Sequence, residues 1–393
     1  MKKTLIRPTS LFPNASTPLV SPIVQSNVYV TKDPSTLDKI YNGELDGYTY
    51  AREKHPNAEI LARRINILEN SKNGFITSSG MSAISAVLFG LCKSGDHVIA
   101  GDQLYGRTSR LLKDDLPRLG IKTTFVDTTD YKKVQESITK KTRIVIIELI
   151  SNPTLRISDI RNISKICKKN KILLVVDNTF TTPLSIKPLD LGADIIVHSI
   201  TKLLSGHSDV TLGYFSTNHS EIFKKIYDYA VTNGLTPSPF ECWLAERGLN
   251  TFEIRFHKCQ ESAGKLAVWL KKRPEVMNVI YPKLSNHPDK KLFKTLFNGN
   301  SCNMVSFELR GNRSSANKFA QNANQISFAP TLGDVGTTLS HPASSSHRSL
   351  SKNQRKKMGI TEGFFRVSVG LEDIEELKNE FKKGLKDLRE KSK

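Results

Sequence analysis

Cysteine is scarce in this sequence, and the few cysteines lack the spacing of a metal site or a disulfide framework. The five residues are odd in number, widely scattered and never arranged as CxxC: Cys92, Cys167, Cys242, Cys259 and Cys302. This pattern argues against a structural zinc site and against stabilising disulfides. It favours a reducing compartment, so the predicted location is cytoplasmic.

Long apolar runs are also missing. No segment approaches the roughly 20 apolar residues that span a bilayer. The N-terminal segment MKKTLIRPTSLFPNAST lacks the apolar core of a secretory signal. With 38% hydrophobic and 24% charged residues, the composition is that of an ordinary soluble globular protein. We therefore expect no membrane partner.

Acidic residues are few relative to basic ones, 38 against 58, which gives a formal net charge of +20. Such an excess can attract a polyanion. The lysines are nevertheless spread along the chain in pairs such as Lys132-Lys133 and Lys382-Lys383. No helix-turn-helix, zinc-finger or stacked-aromatic motif accompanies them. The charge therefore favours a solvated lysine-rich surface over nucleic-acid binding.

An alternation of apolar segments begins near residue 74 and predicts an α/β fold. The segments are separated mostly by helix-length or loop segments, which favours a mainly parallel seven-stranded sheet wrapped by helices. They are FITSS (75–79), HVIAGD (97–102), TTFVD (123–127), RIVIIELI (143–150), ILLVVDN (172–178), DIIVHS (194–199) and TLGYFS (211–216). Ligands of such sheets bind at the carboxyl ends of the strands.

The 393 residues suffice for two domains, and we place the boundaries at residues 58 and 250. Residues 1–58 form an N-terminal arm, in which Pro8, Pro13, Pro18 and Pro22 forbid a long helix over 1–45. Such an extended arm cannot bury itself, so we expect it to lie across a partner subunit. Residues 59–250 would form the ligand-binding domain, and 251–393 a smaller α+β domain.

A long helical stretch, SPFECWLAERGLNTFEIRFHKCQESAGKLAVWLKKRP, bridges the two predicted domains. The segments NVIYP, NMVSFELR and FFRVSVG are expected to be strands of the second domain. A terminal helix follows, because apolar residues recur there at helical spacing: Ile374, Leu377, Phe381, Leu385 and Leu388.

Lys202 lies in VHSITKLLSGHSD, where a buried strand opens into a segment of small residues. Desolvation disfavours a lysine's charge, and the neutral amine can attack a carbonyl. The hydroxyls of Ser199 and Thr201 flank it and could hold a phosphate. These features suggest a covalent site for pyridoxal phosphate (PLP). In so basic a chain, the alternative is an ordinary solvated lysine.

Residues that could also bind PLP follow other predicted strands. Gly80 opens an apolar helix whose N-terminus could bind a phosphate, although neither GxGxxG nor GxxxxGK[ST] is present. Tyr105 follows the second strand. Asp177 ends the fifth and could pair with a protonated pyridine nitrogen or, alternatively, cap a helix. Tyr50 and Arg52, in a loop of the arm, could reach one anion or simply stack on each other.

In their order along the chain, these segments resemble the Cys/Met-metabolism family of PLP enzymes. The similarity runs from about Ser21 to Asp373. Its marks are SPIVQS, YTYAR, SSGMSAI, DQLYG, SNPTLRISDI, VVDNTF, HSITKLLSGHSD, SPFECWLAERGL, HPASSSH and FRVSVGLED. The resemblance implies the aspartate aminotransferase-like fold, fold type I, with PLP as cofactor. It also implies an amino-acid substrate and a homo-oligomer, with a dimer of dimers expected.

The resemblance further implies roles for individual residues. Lys202 would hold PLP covalently and later move protons, and Asp177 would pair with the pyridinium nitrogen. Tyr105 would stack on the ring and act as acid or base. The phosphate would be held by Gly80, Met81, Ser199 and Thr201, and by Tyr50 and Arg52 from a neighbouring subunit. Arg366 would grip the substrate α-carboxylate, with Asn152, Thr331 and Tyr105 beside the substrate. Asn152 would also contact the ring hydroxyl of the cofactor.

The sequence also departs from the family pattern. His55-Pro56-Asn57 replaces the usual Asn-Pro-Thr, and Arg107 stands where methionine γ-lyases commonly have cysteine. Thr331 replaces a serine, and Pro330 stands where cystathionine γ-lyases often have glutamate. The predicted reaction is γ-elimination from methionine, homocysteine or cystathionine. The alternatives are γ-replacement on an O-acylhomoserine, β-elimination, and a catalytically silent or polyanion-binding protein on the same fold.

Overall fold

A computed structural model describes residues 15–348, 350–386 and 388. Its helices are α1 Pro34–Tyr41, α2 Pro56–Glu69, α3 Gly80–Leu91, α4 Gly106–Arg110, α5 Tyr131–Glu136, α6 Ile160–Lys169, α7 Thr182–Ser185, α8 Ser220–Thr232, α9 Pro239–Leu249, α10 Phe252–Leu270, α11 Lys290–Leu296, α12 Arg313–Asn322, α13 Lys352–Lys357 and α14 Ile374–Leu385. Its strands are β1 Asn73–Thr77, β2 His97–Gly101, β3 Lys122–Val126, β4 Thr142–Glu148, β5 Leu173–Asp177, β6 Ile195–Ser199, β7 Gly213–Thr217, β8 Val276–Ile280, β9 Met304–Leu309, β10 Ser327–Phe328, β11 Thr338–Ser340 and β12 Phe364–Ser368.

The first seven strands form one sheet in the order β1-β7-β6-β5-β4-β2-β3. Strand β7 runs antiparallel to β1 and β6, while β2 to β6 pair in parallel. This confirms the predicted mainly parallel seven-stranded sheet. The register places Glu148 opposite Asp177, and Asp177 opposite Val197. Two carboxylates therefore lie side by side at the carboxyl edge of the sheet.

The central strands are apolar on both faces because helices cover both sides of the sheet. Alternate residues of β4 belong to different core clusters. Ile144 and Ile146 pack with α3 and α8, whereas Val145 and Ile147 pack with the cluster that includes residues of α2 and α6. All four side chains are buried. This two-sided burial explains the unbroken β-branched runs in the sequence.

A second sheet has the order β10-β11-β12-β9-β8. Its strands β8, β9 and β12 confirm the three strands predicted for the C-terminal part, while β10 and β11 were not predicted. Helix α14 buries Leu377 and Phe381, as the apolar stripe predicts, but Leu388 lies beyond the end of that helix. The proposed domain boundaries at residues 58 and 250 stay a prediction.

Two predicted segments differ from the structure. The arm, expected to be extended, contains helix α1, which begins at Pro34 after an Asp33 cap that accepts from the Thr36 amide at 2.7 Å. Proline at a first helical position is favourable, so these prolines do not exclude a short helix. The bridging stretch forms two helices, α9 and α10, separated at Asn250 and Thr251. Pro8 and Pro13 lie outside the described residues.

Part of the arm is fastened to its own chain. Trp243 Nε1 donates to the Ser21 carbonyl at 2.8 Å, and Ser21 Oγ donates to Glu246 at 2.8 Å. In contrast, Val28 and Val30 are exposed. The arm therefore both contacts α9 and presents apolar side chains outward.

Residues 15–348, 350–386 and 388 include neither a candidate membrane-spanning helix nor a cluster of metal ligands. No helix there combines the length and apolarity that crossing a bilayer needs. No group of three or more potential His, Cys, Asp or Glu ligands is gathered there around a common point.

Candidate active site

Lys202 follows β6 and is half-buried at the carboxyl edge of the first sheet. Its Nζ donates to Thr331 Oγ1 at 3.3 Å. Burial lowers the pKa of Lys202, and the positive charge of Arg366 lowers it further. The amine is thus held where its neutral, nucleophilic form is favoured.

Arg366 on β12 connects three of the predicted site residues. Its Nη1 donates to Asn152 Oδ1 at 2.8 Å, and its Nη2 donates to the Thr331 carbonyl at 2.8 Å. Burial lowers the pKa of Arg366 to about 10. Its Nε is buried without a hydrogen-bond partner among the described residues. Since unpaired buried donors are costly, this atom is a ready contact for an anionic ligand.

Two carboxyl groups lie side by side at the edge of the sheet. Asp177 ends β5 and is half-buried, and Glu148 ends β4 and is buried. Burial raises the pKa of both groups, and the charge of Asp177 adds to the rise at Glu148. Glu148 Oε1 accepts from the Tyr105 amide at 2.6 Å, and Asp177 Oδ1 accepts from the Thr179 amide at 3.0 Å. A cation placed beside Asp177 would lower the pKa of that carboxyl group and favour the ionised carboxylate.

The helix-cap alternative for Asp177 does not describe this structure. Helix α7 begins at Thr182, with Thr181 in the capping position, so Asp177 precedes the helix by several residues. Its hydrogen bond to the Thr179 amide instead closes a turn directly after β5. The carboxyl group is therefore left at the edge of the sheet, where the other site residues lie.

Gly80 begins helix α3 directly beside Ser199. A Cβ added to Gly80 would lie 2.7 Å from Ser199 Cβ, so only glycine allows this close approach. Ser79 caps the helix by accepting from the Ser82 amide at 3.0 Å. The first amides of α3 have no acceptor within the helix and point out of its N-terminus. Gly80 and Met81 supply two of these amides next to the Ser199 hydroxyl.

The remaining predicted residues surround the same edge. Tyr105 is half-exposed and precedes α4. Thr201 Oγ1 donates to the Leu212 carbonyl at 3.2 Å, which shows that its hydroxyl already has a protein partner. The Ser199 amide donates to Thr179 Oγ1 at 2.8 Å, which joins the ends of β5 and β6.

Tyr50 and Arg52 lie elsewhere in this chain. The Arg52 guanidinium lies 5.3 Å from the centre of the Tyr50 ring, and its Nη1 donates to the Val231 carbonyl at the end of α8 at 3.2 Å. This matches the stacked-pair alternative. Within the described residues these contacts do not join the pair to Lys202.

Sequence reasoning missed two residues of the site. Glu148 fixes the backbone of Tyr105, and Thr179 bonds to both Asp177 and Ser199. Glu148 was detectable, because it ends an apolar strand in the same way as Asp177. Thr179 carried no such signal, since its role depends on the pairing of β5 with β6.

The comparisons with known proteins agree with this arrangement. The family described as Cys/Met metabolism PLP-dependent enzyme matches residues 4–386. A cystathionine beta-lyase of Bacillus subtilis (strain 168) is 40% identical over 354 residues, 90% of each chain. An L-methionine gamma-lyase of Fusobacterium nucleatum subsp. polymorphum is 38% identical over 373 residues, 94% of each chain.

A solved structure from Campylobacter jejuni subsp. jejuni, assigned as an O-acetylhomoserine (thiol)-lyase, has the same fold. It matches with a TM-score of 0.91 at 27% identity, covering 96% of this chain and 97% of that one. That structure carries N'-pyridoxyl-lysine-5'-monophosphate. The family and the fold are thereby shown for this chain.

Proposed function

We propose, from the premise that this chain belongs to the Cys/Met metabolism PLP-dependent enzyme family, that it catalyses γ-elimination on a sulfur amino acid. The substrate would be methionine, homocysteine or cystathionine, and the products 2-oxobutanoate, ammonia and a thiol. The observation that carries the proposal is the Lys202–Thr331–Arg366–Asn152 network, which joins a half-buried amine to a carboxylate-binding guanidinium.

The residues present fit PLP. The close approach of Gly80 to Ser199 and the free first amides of α3 suit a phosphate, with Met81, Ser199 and Thr201 beside it. Asp177, whose pKa is raised by burial, suits a protonated ring nitrogen. Lys202 suits covalent attachment, and Tyr105 has an exposed ring that could lie on the cofactor. When bound, PLP withdraws electrons from the α-carbon of the substrate.

Each protein group then has a definite task. Arg366 holds the α-carboxylate through its unpaired Nε, and Asn152 and Thr331 fix the guanidinium in place. Lys202, whose pKa is lowered by burial and by Arg366, removes the Cα proton. It next removes a proton from Cβ, which γ-elimination requires. Tyr105 gives a proton to the departing sulfur.

Pro330 influences the choice of distal group. It offers no carboxylate for the distal ammonium of cystathionine, so a smaller, uncharged group such as the methyl of methionine is favoured. The second candidate is γ-replacement on an O-acylhomoserine. It is favoured by Arg107, an exposed cation two residues after Tyr105 that could attract a succinyl ester. β-Elimination is a third, less favoured outcome.

We also propose a homo-oligomer, a dimer of dimers, in which Tyr50 and Arg52 reach the phosphate of a neighbouring subunit. The support is that Arg52 stacks on Tyr50 and contacts α8 in its own chain, and that the arm exposes Val28 and Val30. A second subunit would cover such apolar side chains.

The test is product analysis with the PLP-loaded enzyme. It is incubated with methionine, homocysteine, cystathionine, and O-acetyl- or O-succinylhomoserine, each with and without cysteine. We expect 2-oxobutanoate from the sulfur amino acids without cysteine. Cystathionine formation from an O-acylhomoserine plus cysteine, with no 2-oxobutanoate from any sulfur amino acid, would favour γ-replacement instead.

A further inference from the structure

Arg255, in the first turn of α10, is a buried arginine without a carboxylate partner among the residues that the structure describes. Only 6% of the residue is exposed, and burial lowers its pKa. Its Nη1 donates to the Leu203 carbonyl at 2.9 Å, and its Nη2 donates to the Leu204 carbonyl at 3.1 Å. In the part of the chain that the structure describes, its hydrogen-bond acceptors are all neutral. Burying such a charge is costly, so its position needs an explanation.

The end of helix α9 supplies the other acceptors. Arg255 Nη2 also donates to the Gly248 carbonyl at 2.9 Å, and Nε donates to Thr251 Oγ1 at 3.1 Å. Gly248 lies in the last turn of α9, where backbone carbonyls lack helical partners and the helix dipole is negative. These groups stabilise the guanidinium without a carboxylate.

The loop after Lys202 is shaped around this guanidinium. Gly206 has a φ of +77°, and a Cβ at that position would lie 1.8 Å from Arg255 Nη1. Only glycine allows both the backbone conformation and the contact. Gly248 also allows a close approach to this loop, because a Cβ there would lie 2.4 Å from the Ser205 carbonyl oxygen.

The opposite side of the loop contacts the segment that carries Thr331. The Val335 amide donates to the Gly206 carbonyl at 2.9 Å. A Cβ on Gly333 would lie 2.6 Å from the Leu203 amide nitrogen and 3.1 Å from Lys202 Cα. The backbone of Lys202 and the residues after it is thus confined between Arg255 and residues 333–335.

We propose that Arg255 is a positioning residue that holds the backbone of Leu203 and Leu204 and so fixes the direction of the Lys202 amine. This inference rests on the proposed role of Lys202 as the PLP attachment point. Three of the four hydrogen bonds come from the two terminal nitrogens of the guanidinium. They join the carbonyls of Leu203 and Leu204 to the Gly248 carbonyl at the end of α9. A lysine ammonium cannot reproduce this arrangement.

The test variant is Arg255→Lys, which keeps the charge and removes the fork. The apoenzyme is mixed with saturating PLP and quenched with borohydride at successive times, and the intact mass of the denatured protein reports covalent attachment. In that step Lys202 Nζ bonds to the aldehyde carbon of PLP with loss of water, and borohydride reduces the carbon–nitrogen double bond. We expect attachment to be slower by about tenfold to hundredfold, because misplacements near 1 Å have such effects.

Arg64→Lys is the matched control. Arg64 is also a largely buried arginine that contacts α9, donating to the Glu246 carbonyl at 2.9 Å and to Asn250 Oδ1 at 2.7 Å. Among the described residues it has no hydrogen bond to residues 202–206. We expect its attachment rate to stay within about twofold of the native rate. Equal slowing in both variants would mean general loosening of α9 and would overturn the proposal, as would a native rate in folded Arg255→Lys.

Circular dichroism and thermal unfolding show whether Arg255→Lys folds. If it does not fold, Thr251→Val replaces it in the same attachment assay. It removes the Nε acceptor and leaves the arginine in place, so a smaller slowing is expected. A native rate in that variant would then refute the proposal. Lys202→Ala, run in parallel, should show no attachment. If it is still labelled, the assignment of Lys202 is wrong, which is a different failure from a normal rate in the Arg255 variant.

Discussion

Arg366→Lys is the substitution that most directly examines how the substrate is held. In the native chain the two terminal nitrogens of Arg366 bond to Asn152 and to the Thr331 carbonyl, which leaves Nε for the α-carboxylate. Lysine has one nitrogen, so it cannot keep both protein contacts and also donate to the substrate carboxylate from a fixed position. The charge is retained, but the geometry is lost.

The expected loss of kcat/KM follows from the lost hydrogen bond between Arg366 Nε and the substrate carboxylate. A hydrogen bond to a charged group contributes about 1.5–3 kcal/mol, which corresponds to a loss of roughly tenfold to hundredfold in kcat/KM. The assay compares kcat/KM for methionine with the dissociation constant of PLP, which should be nearly unchanged. Arg310→Lys is the control, because Arg310 follows β9, is exposed and donates to the Pro274 carbonyl. Unchanged kcat/KM in Arg366→Lys would refute the carboxylate role.

Three further outcomes are expected. Lys202→Ala should abolish turnover and borohydride-stable labelling while circular dichroism stays native, and undiminished turnover would reject Lys202 as the attachment point. Mixing inactive Lys202→Ala with inactive Arg52→Ala chains should restore activity in hybrids; no recovery after confirmed subunit exchange would count against shared sites. The PLP attachment rate should rise with pH as Lys202 loses its proton, with a midpoint below the ordinary value of 10.5. In Arg366→Met the midpoint should move upward, because a positive neighbour that lowers the pKa of Lys202 is gone, and no shift would show that Arg366 has no such effect.

The central strands of the first sheet were predictable because they are buried on both faces. Unbroken runs such as Ile144–Ile147 have no amphipathic helical alternative of that length, so the strand ends were placed within about two residues. The start of α3 at Gly80 was also predictable, because an apolar helical segment follows that glycine directly. These features are local in the sequence.

The missed features depend on contacts between distant segments. Strands β10 and β11 are two and three residues long, too short for a periodic signal. Arg255 resembles any other residue of a predicted helix, and its burial follows only from the packing of α9, α10 and the Lys202 loop. Helix α1 was missed because Pro8, Pro13, Pro18 and Pro22 were taken to exclude only a long helix, and α1 is eight residues long.

The most direct test of the central claim is the identity of the oxo acid released from cystathionine by the PLP-loaded enzyme. Cleavage on the Cγ side of sulfur gives 2-oxobutanoate, ammonia and cysteine, whereas cleavage on the Cβ side gives pyruvate, ammonia and homocysteine. The proposed γ-elimination predicts 2-oxobutanoate, absent in Lys202→Ala. Pyruvate and homocysteine from cystathionine, with no 2-oxobutanoate from methionine, homocysteine or cystathionine, would contradict it and identify a β-eliminating enzyme.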